Sequence, residues 1–139
     1  MSTRKTTWNE KLRTGKRAEV KRLDKPFAGM PAGGLMLVAS PDLIDAYIRG
    51  IPSGRTLTVK AMRDDLADQH QAEFTCPTST GIFLRIVAEA AWERYQAGET
   101  VESITPFWRV IEPGSALAAK LACGTDFITG RRENENAGR

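Results

Sequence analysis

The spacing of apolar residues in the first half of the chain predicts a buried strand followed by a helix. Residues 35–39, LMLVA, form an uninterrupted apolar run, which is typical of a short strand in a core. Residues 41–48 then carry apolar side chains at helical spacing, directly after Ser40, a residue type that caps helix N-termini. Gly50 and the turn at residues 51–54 end this helix.

The second half of the chain predicts two further helices joined by a polar connector. The first covers about residues 60–69 behind a capping Thr58. The second covers about residues 79–97, with a wide apolar face and Gly98 at its end. The connector at residues 71–77, with the small hydroxyl residues that open the second helix, favours a helix-turn-helix.

Three further signals concern the ends of the chain and the segment after the helices. Residues 107–115 are predicted as a strand and turn that form a wing-like element. Residues 130–139 are polar and are predicted to fray. Trp8 and Leu12 are four residues apart, which predicts a short helix that pins the N-terminal segment to the body.

We therefore predict an α+β, mainly α fold: a winged helix-turn-helix-like domain with a short strand or wing element. This domain covers residues 34–128. A basic flexible arm and linker, which ends in a stretch rich in Pro and Gly, precedes it at residues 1–33. A polar tail follows the domain at residues 129–139.

Basic residues are concentrated near the N-terminus. Residues 1–25 contain nine Lys or Arg and three acids, a net charge of +6, so the rest of the chain carries −3 of the total of +3. A basic arm on a slightly acidic body suits a polyanionic partner, because each cation near a phosphate releases counterions. A solvated tail that only aids solubility would have the same composition, so both interpretations stay open.

Residue usage also limits the compartment and the chemistry. The chain has no run of about 18 apolar residues and no apolar stretch of signal-peptide type, so we expect a cytoplasmic protein with no membrane partner. Cys76 and Cys123 are far apart, which predicts free thiols in a reducing compartment. Without metal-ligand spacing we expect no metal and no cofactor, and we expect a monomer.

Residues 104–111, ITPFWRVI, followed by EPGSAL, resemble the active-site segment of the DNA O6-alkylguanine alkyltransferases, which reads IPCHRV before a glycine-rich turn. The resemblance also includes IPSG at residues 51–54 and the helix start at residues 76–81, and it covers about residues 40–124. The chain is similar in particular to the alkyltransferase-like branch, which lacks the nucleophilic Cys. The resemblance implies a helix-turn-helix in the DNA minor groove that binds alkylated guanine and flags it to repair proteins.

The chain departs from the family pattern at the positions that carry chemistry. Phe107 stands at the position of the nucleophilic Cys and Trp108 at that of the His. Alkyl transfer needs a thiolate activated by a neighbouring base, so we expect no catalysis there. The family's Tyr that rotates the target nucleotide falls on Val59, and its Arg that fills the gap falls on Gly81. Arg85, one turn further on, is a candidate substitute for that Arg.

Two sets of candidate site residues follow from the resemblance. The candidates for DNA contact are Thr78, Ser79, Thr80, Gly81, Arg85 and Arg109. The candidates for a lesion pocket are Val59, Pro106, Phe107 and Trp108. Each set has a purely structural alternative. The hydroxyls can cap a helix, the two aromatic residues can fill the core, and the arginine after them can fix local geometry instead of touching phosphate.

The sequence thus favours a non-catalytic protein that binds double-stranded DNA and senses alkylated guanine for repair. One alternative is a methyltransferase that uses a displaced thiol, Cys76 or Cys123. Another is a protein–protein adaptor that keeps the same fold.

Overall fold

The computed structural model describes residues 7–13 and 17–137, which form an α+β structure that is about half helical. The strands are β1 (Glu19–Arg22), β2 (Leu35–Val38) and β3 (Phe74–Thr75). The helices are α1 (Trp8–Leu12), α2 (Pro41–Arg49), α3 (Val59–Gln69), α4 (Pro77–Gln96), α5 (Ala116–Lys120) and α6 (Thr125–Ala137), with a 3₁₀ turn at Phe107–Arg109.

The three strands form one small sheet with β2 in the middle. β1 pairs with β2 antiparallel, with Glu19 opposite Val38, and β3 pairs with β2 in parallel, with Met36 opposite Phe74. Leu37 in the central strand is fully buried, which confirms the predicted core strand. The parallel pair needs a crossover connection, and α2 and α3 supply it.

Side-chain caps start α2 and α3 where the sequence predicted them. The Ser40 hydroxyl accepts a hydrogen bond from the Leu43 N–H at 3.2 Å, and the Thr58 hydroxyl accepts one from the Ala61 N–H at 3.0 Å. Both bonds satisfy donors that have no partner inside a helix. The two predicted helices and their caps are therefore confirmed.

Helix α4 crosses the centre of the molecule and contacts α1, α2 and the 3₁₀ turn. It begins at Pro77, two residues before the predicted start, because proline suits the first helical position. Its buried face carries Leu84, Val87 and Ala91, and the small residues there let neighbouring elements approach closely. Gly98, at φ +110°, follows its end, as expected for a glycine after a helix.

The segment predicted as a wing is not a strand. Residues Phe107–Arg109 form a 3₁₀ turn, in which the Val110 N–H donates to the Phe107 carbonyl at 3.1 Å. A strand would turn neighbouring side chains to opposite faces, whereas Phe107 and Trp108 are both buried in the same core. The prediction of a strand and wing at residues 107–115 is therefore wrong.

Both predicted flexible ends contain regular structure in their described residues. α1 and β1 lie within the segment expected to be a flexible arm, and α1 packs on α4 as the Trp8 and Leu12 spacing predicted. α6 extends to Ala137, so residues 130–137 do not form the frayed tail we expected. Ile128 of α6 is fully buried, and this anchor explains why a polar sequence stays helical.

Candidate nucleic-acid interface

The start of α4 and the short helix α5 enclose a shallow groove of about 340 Å³. The groove is lined by Thr78, Gly81, Ile82, Arg85, Leu117 and Lys120. Three of the six are predicted DNA-contact residues, and the structure adds the lysine from α5. Lys120 could not be predicted as a site residue from the sequence, because nothing in the local pattern indicates that α5 packs beside the start of α4.

The first turn of α4 borders this groove through Thr78. Cys76 is the N-cap residue, and no side chain accepts a hydrogen bond from the first turn. The N–H groups of Thr78 and Ser79 belong to that turn, and such groups have no partner within their own helix. They also lie at the positive end of a 20-residue helix, where an anion is stabilised.

Two of the three hydroxyl residues in this turn do not play the predicted roles. Thr80 is fully buried, and its hydroxyl donates to the Cys76 carbonyl at 2.6 Å, so it is not placed to contact DNA. The Ser79 hydroxyl oxygen is also buried and has no hydrogen-bond partner among the described residues. Our expectation that one of these hydroxyls caps the helix is wrong, because Cys76 occupies the cap position. Thr78 is exposed on the groove.

Gly81 lies on the open side of α4. A Cβ atom at this position meets no atom within 4 Å apart from its neighbours in the chain and the backbone of its own helix, so there is open space where a side chain would begin, and Gly81 lines the groove. Glycine inside a helix costs about 1 kcal/mol relative to alanine. The position is therefore a suitable probe of whether this face touches a partner.

Arg85 connects the groove to the N-terminal helix. Its guanidinium lies 3.7 Å from the buried carboxylate of Glu89 and 5.4 Å from the centre of the Trp8 ring. The Lys11 ammonium lies over the same ring at 4.2 Å. Lys11, Arg85 and the groove's Lys120 thus form a basic strip along one side of α4, which we call the α4 strip.

Helix α1 is held in place by one acidic side chain of α4. The backbone N–H groups of Trp8 and Asn9 each donate to the Glu93 carboxylate at 3.0 Å, and the Asn9 amide donates to the Ala90 carbonyl at 2.9 Å. Burial alone would raise the pKa of Glu93, but the hydrogen bonds from Trp8 and Asn9 and the charge of Lys11 lower it below its usual range. The carboxylate therefore stays ionised and fixes α1 beside the strip.

Phe107 and Trp108 fill the core. They are 0% and 1% exposed, their rings meet edge to face at 5.4 Å, and the Phe127 ring packs against both. Of the two interpretations left open by the sequence, the structure supports core aromatics and not an exposed wall for an extruded base. Neither side chain has a thiol or an imidazole, so in-line alkyl transfer has no nucleophile at this position.

Arg109 is committed to an ion pair inside the molecule. Its Nε and Nη2 donate to the two Glu135 carboxylate oxygens at 3.0 and 2.7 Å, and its Nη1 donates to the Ile51 carbonyl at 2.6 Å. The side chains of Arg109 and Glu135 are only 14% and 6% exposed. The proposed phosphate contact of Arg109 is therefore corrected: this side chain fixes local geometry.

Glu135 joins two of the three motifs that carry the family resemblance, residues 104–111 and residues 51–54. Besides Arg109, it accepts hydrogen bonds from the Trp108 indole at 2.9 Å and from the Gly54 N–H at 3.3 Å. Burial opposes its ionisation, but the bonds from Arg109, Trp108 and Gly54 outweigh burial and lower the pKa of Glu135. The sequence reasoning missed this residue, because it lies in a segment with the composition of a tail.

The four lesion-pocket candidates do not share one cavity. Pro106 and Trp108 line a polar cleft of about 610 Å³ beside Arg131 of α6. Val59 lines a separate pocket of about 230 Å³ next to α5. Phe107 is fully buried and lines neither space. The single pocket implied by the resemblance is therefore not formed.

The thiols of Cys76 and Cys123 are both free. Cys76 is buried, and burial together with the nearby Glu89 carboxylate raises the pKa of Cys123 to about 11. A thiol with so high a pKa carries little thiolate at neutral pH, which disfavours a displaced nucleophile. In the described parts of the chain, no group of three or more His, Cys, Asp or Glu is arranged to hold a metal ion.

The chain matches no protein-family model, no curated protein and no solved structure. None of the helices within residues 7–13 and 17–137 has the length and apolar character needed to cross a membrane.

Proposed function

We propose that this protein binds double-stranded DNA without catalysis, and that the α4 groove and the α4 strip form the contact surface. The observation that carries the proposal is the convergence at one place of an uncapped helix N-terminus, an open Gly81 and the cations Arg85 and Lys120. Helix N-termini and cations are the groups that proteins use to position themselves on phosphates.

The N-terminal segment supplies further positive charge beside this surface. Residues 1–25 carry a net charge of +6, and α1 (Trp8–Leu12) within that segment packs against α4. Sequence-independent contacts to phosphates give affinity that falls steeply with salt. The basic segment therefore supports binding of a duplex by its backbone.

Recognition of alkylated guanine is a narrower part of the proposal. An extruded base needs a pocket with a stacking surface and polar groups. The cleft beside Pro106 and Arg131 has a suitable size and borders residues 104–111. Equal binding of plain and O6-methylguanine duplexes would remove this part and leave DNA binding in place.

The test compares two helical glycines in a salt-dependent gel shift. Gly81→Glu puts bulk and negative charge on the groove, and we expect binding of a plain duplex to fall at least tenfold, about 1.4 kcal/mol. Gly130→Glu adds the same side chain to α6, where a Cβ likewise meets nothing within 4 Å, and should bind like the parent. Thermal melting checks that both variants fold.

Two results would refute this surface. If a well-folded Gly81→Glu variant binds duplex as tightly as the parent, α4 does not face DNA. If the parent itself shows no salt-dependent binding, the adaptor interpretation replaces the proposal.

A further inference from the structure

Strands β1 and β2 are the two sides of a hairpin whose loop end, residues 24–33, is exposed except for the half-buried Met30. At its tip the Phe27 and Met30 backbones exchange two hydrogen bonds of 2.9 Å around a two-residue loop. Ala28 and Gly29 in that loop have φ angles of +52° and +84°. Two positive φ angles define the type I′ turn, whose twist matches that of hairpin strands.

The hairpin has a basic stem and an apolar tip. The stem residues 17–25 carry four basic and two acidic side chains, and β1 is exposed along its whole length. Residues 26–34, PFAGMPAGG, have no charged side chain and none that forms hydrogen bonds. Phe27 is 41% exposed at the tip, which is unusual for a phenylalanine.

Ala28, at the tip, adopts a left-handed backbone conformation that alanine does not favour. The left-handed region is uncomfortable for alanine, yet Ala28 adopts it where glycine or asparagine is usual. Flanking backbone pairs hold the turn, since Leu23 and the Gly33–Gly34 segment exchange hydrogen bonds of 2.8 and 2.9 Å. A strained, well-held turn that presents an aromatic ring to solvent is a reason to ask what that ring contacts.

We infer that this hairpin is a DNA-bending arm: its basic stem lies along phosphates, and Phe27 inserts between two base pairs from the minor groove. The inference rests on the proposed DNA binding. Apolar wedges are inserted from the minor groove, where they unstack one base step and kink the duplex. Reading base edges needs polar side chains, which the tip lacks, so its contact with DNA is by stacking and burial.

The dimensions of the hairpin suit this role. From Arg22, the end of β1, to Phe27 is five residues, a reach of at most about 17 Å for an extended chain. The minor groove is about 7.5 Å deep, so the tip can reach a base step while the stem remains at the phosphates. Lys21, Arg22 and Lys25 belong to the stem, the part of the hairpin that would run along the phosphates at the edge of the minor groove.

The experiment separates binding from unstacking. The parent is titrated with a 25-base-pair duplex that carries 2-aminopurine at a central pyrimidine–purine step and a dye pair at its ends. We expect the fluorescence of 2-aminopurine to rise and the end-to-end distance to shorten. Phe27→Ala should abolish both changes and weaken binding by less than tenfold.

Val20→Ala is the matched control, because Val20 is an exposed apolar residue of the stem, 40% accessible, and lies away from the tip. We expect this variant to unstack and bend the duplex like the parent. Thermal melting of both variants should match the parent, since neither side chain is buried.

Each other outcome decides against the inference in a recognisable way. A parent that binds without unstacking or bending overturns the wedge and leaves the proposed function intact. If the Phe27→Ala variant bends DNA like the parent, Phe27 is not the side chain that inserts between base pairs, and the inference is overturned. If the parent does not bind duplex but binds vesicles of anionic lipid, both proposals are overturned and the hairpin is assigned to a membrane surface.

Discussion

The ion pair between Arg109 and Glu135 provides the most direct test of the structure. Replacing Glu135 by Ala leaves the Arg109 guanidinium 14% exposed without its two strongest acceptors. It also removes the acceptor of the Trp108 indole and that of the Gly54 N–H. The substitution therefore leaves one buried charge and two other donors unpaired.

Removing one partner of a buried ion pair typically costs about 3–5 kcal/mol. For a chain of this size, 1 kcal/mol corresponds to roughly 3–4 °C, so the expected loss in melting temperature is on the order of 10–20 °C. If residues 130–139 were a frayed tail, the same substitution would change the stability by less than about 0.5 kcal/mol. The losses in melting temperature expected for a buried ion pair and for a frayed tail thus differ by far more than the error of a melting experiment.

The assay is thermal and urea unfolding at neutral pH, with Glu133→Gln as the control. Glu133 lies on the same helix two residues earlier and is exposed, so its neutralisation should leave the melting temperature nearly unchanged. Equal stability of Glu135→Ala and the control would refute the structure at this site.

The same pair predicts a pH dependence of defined sign. The pKa of Glu135 is lowered in the folded protein, so the unfolded chain binds the proton more readily. Its contribution is present in full above the ordinary glutamate pKa of about 4.3 and is lost as the pH falls through the folded value. The stability difference between parent and Glu135→Gln should therefore shrink on acidification below about pH 4.3.

Three further predictions concern the partner, the chemistry and the local structure. Neutralising Lys21, Arg22 and Lys25 together should flatten the slope of log K against log salt by about 2–3, and an unchanged slope would exclude the stem from the interface. After exposure to methylated duplex, mass spectrometry should find no added methyl group on the 104–111 peptide, because no thiol lies there. Ser40→Ala should lower the free energy of unfolding by about 1 kcal/mol in urea titrations, since it removes the cap of α2, and a loss of less than about 0.3 kcal/mol would contradict that role.

Local signals were sufficient to predict the elements whose ends are defined by neighbouring residues. Ser40 and Thr58 start α2 and α3 because a cap needs only a hydroxyl and an N–H three residues away. The strand at Leu35–Val38 and the helix after Cys76 follow from apolar runs and periodicity. The Trp8 and Leu12 spacing likewise predicted α1.

The candidate site could be predicted only in part. Thr78, Gly81 and Arg85 do share one groove, because three and seven residues along a helix return to the same face. The cation Lys120 that joins them comes from an element 35 residues away, and no local pattern encodes that approach. Thr80, next to the half-buried Gly81 in sequence, is fully buried because successive residues of a helix point in different directions.

The sequence by itself determined where helices start, which residues are apolar and that residues 107 and 108 are Phe and Trp, with no thiol or imidazole. Only the tertiary structure decided that Phe107 and Trp108 turn together into the core and that Arg109 pairs with Glu135, 26 residues later. The segments around β1 and α6 have the composition of flexible segments, but they form a strand and a helix through contacts with residues distant in the chain. The physical reason is that burial and ion pairing depend on which surfaces meet, and composition along a short segment does not contain that information.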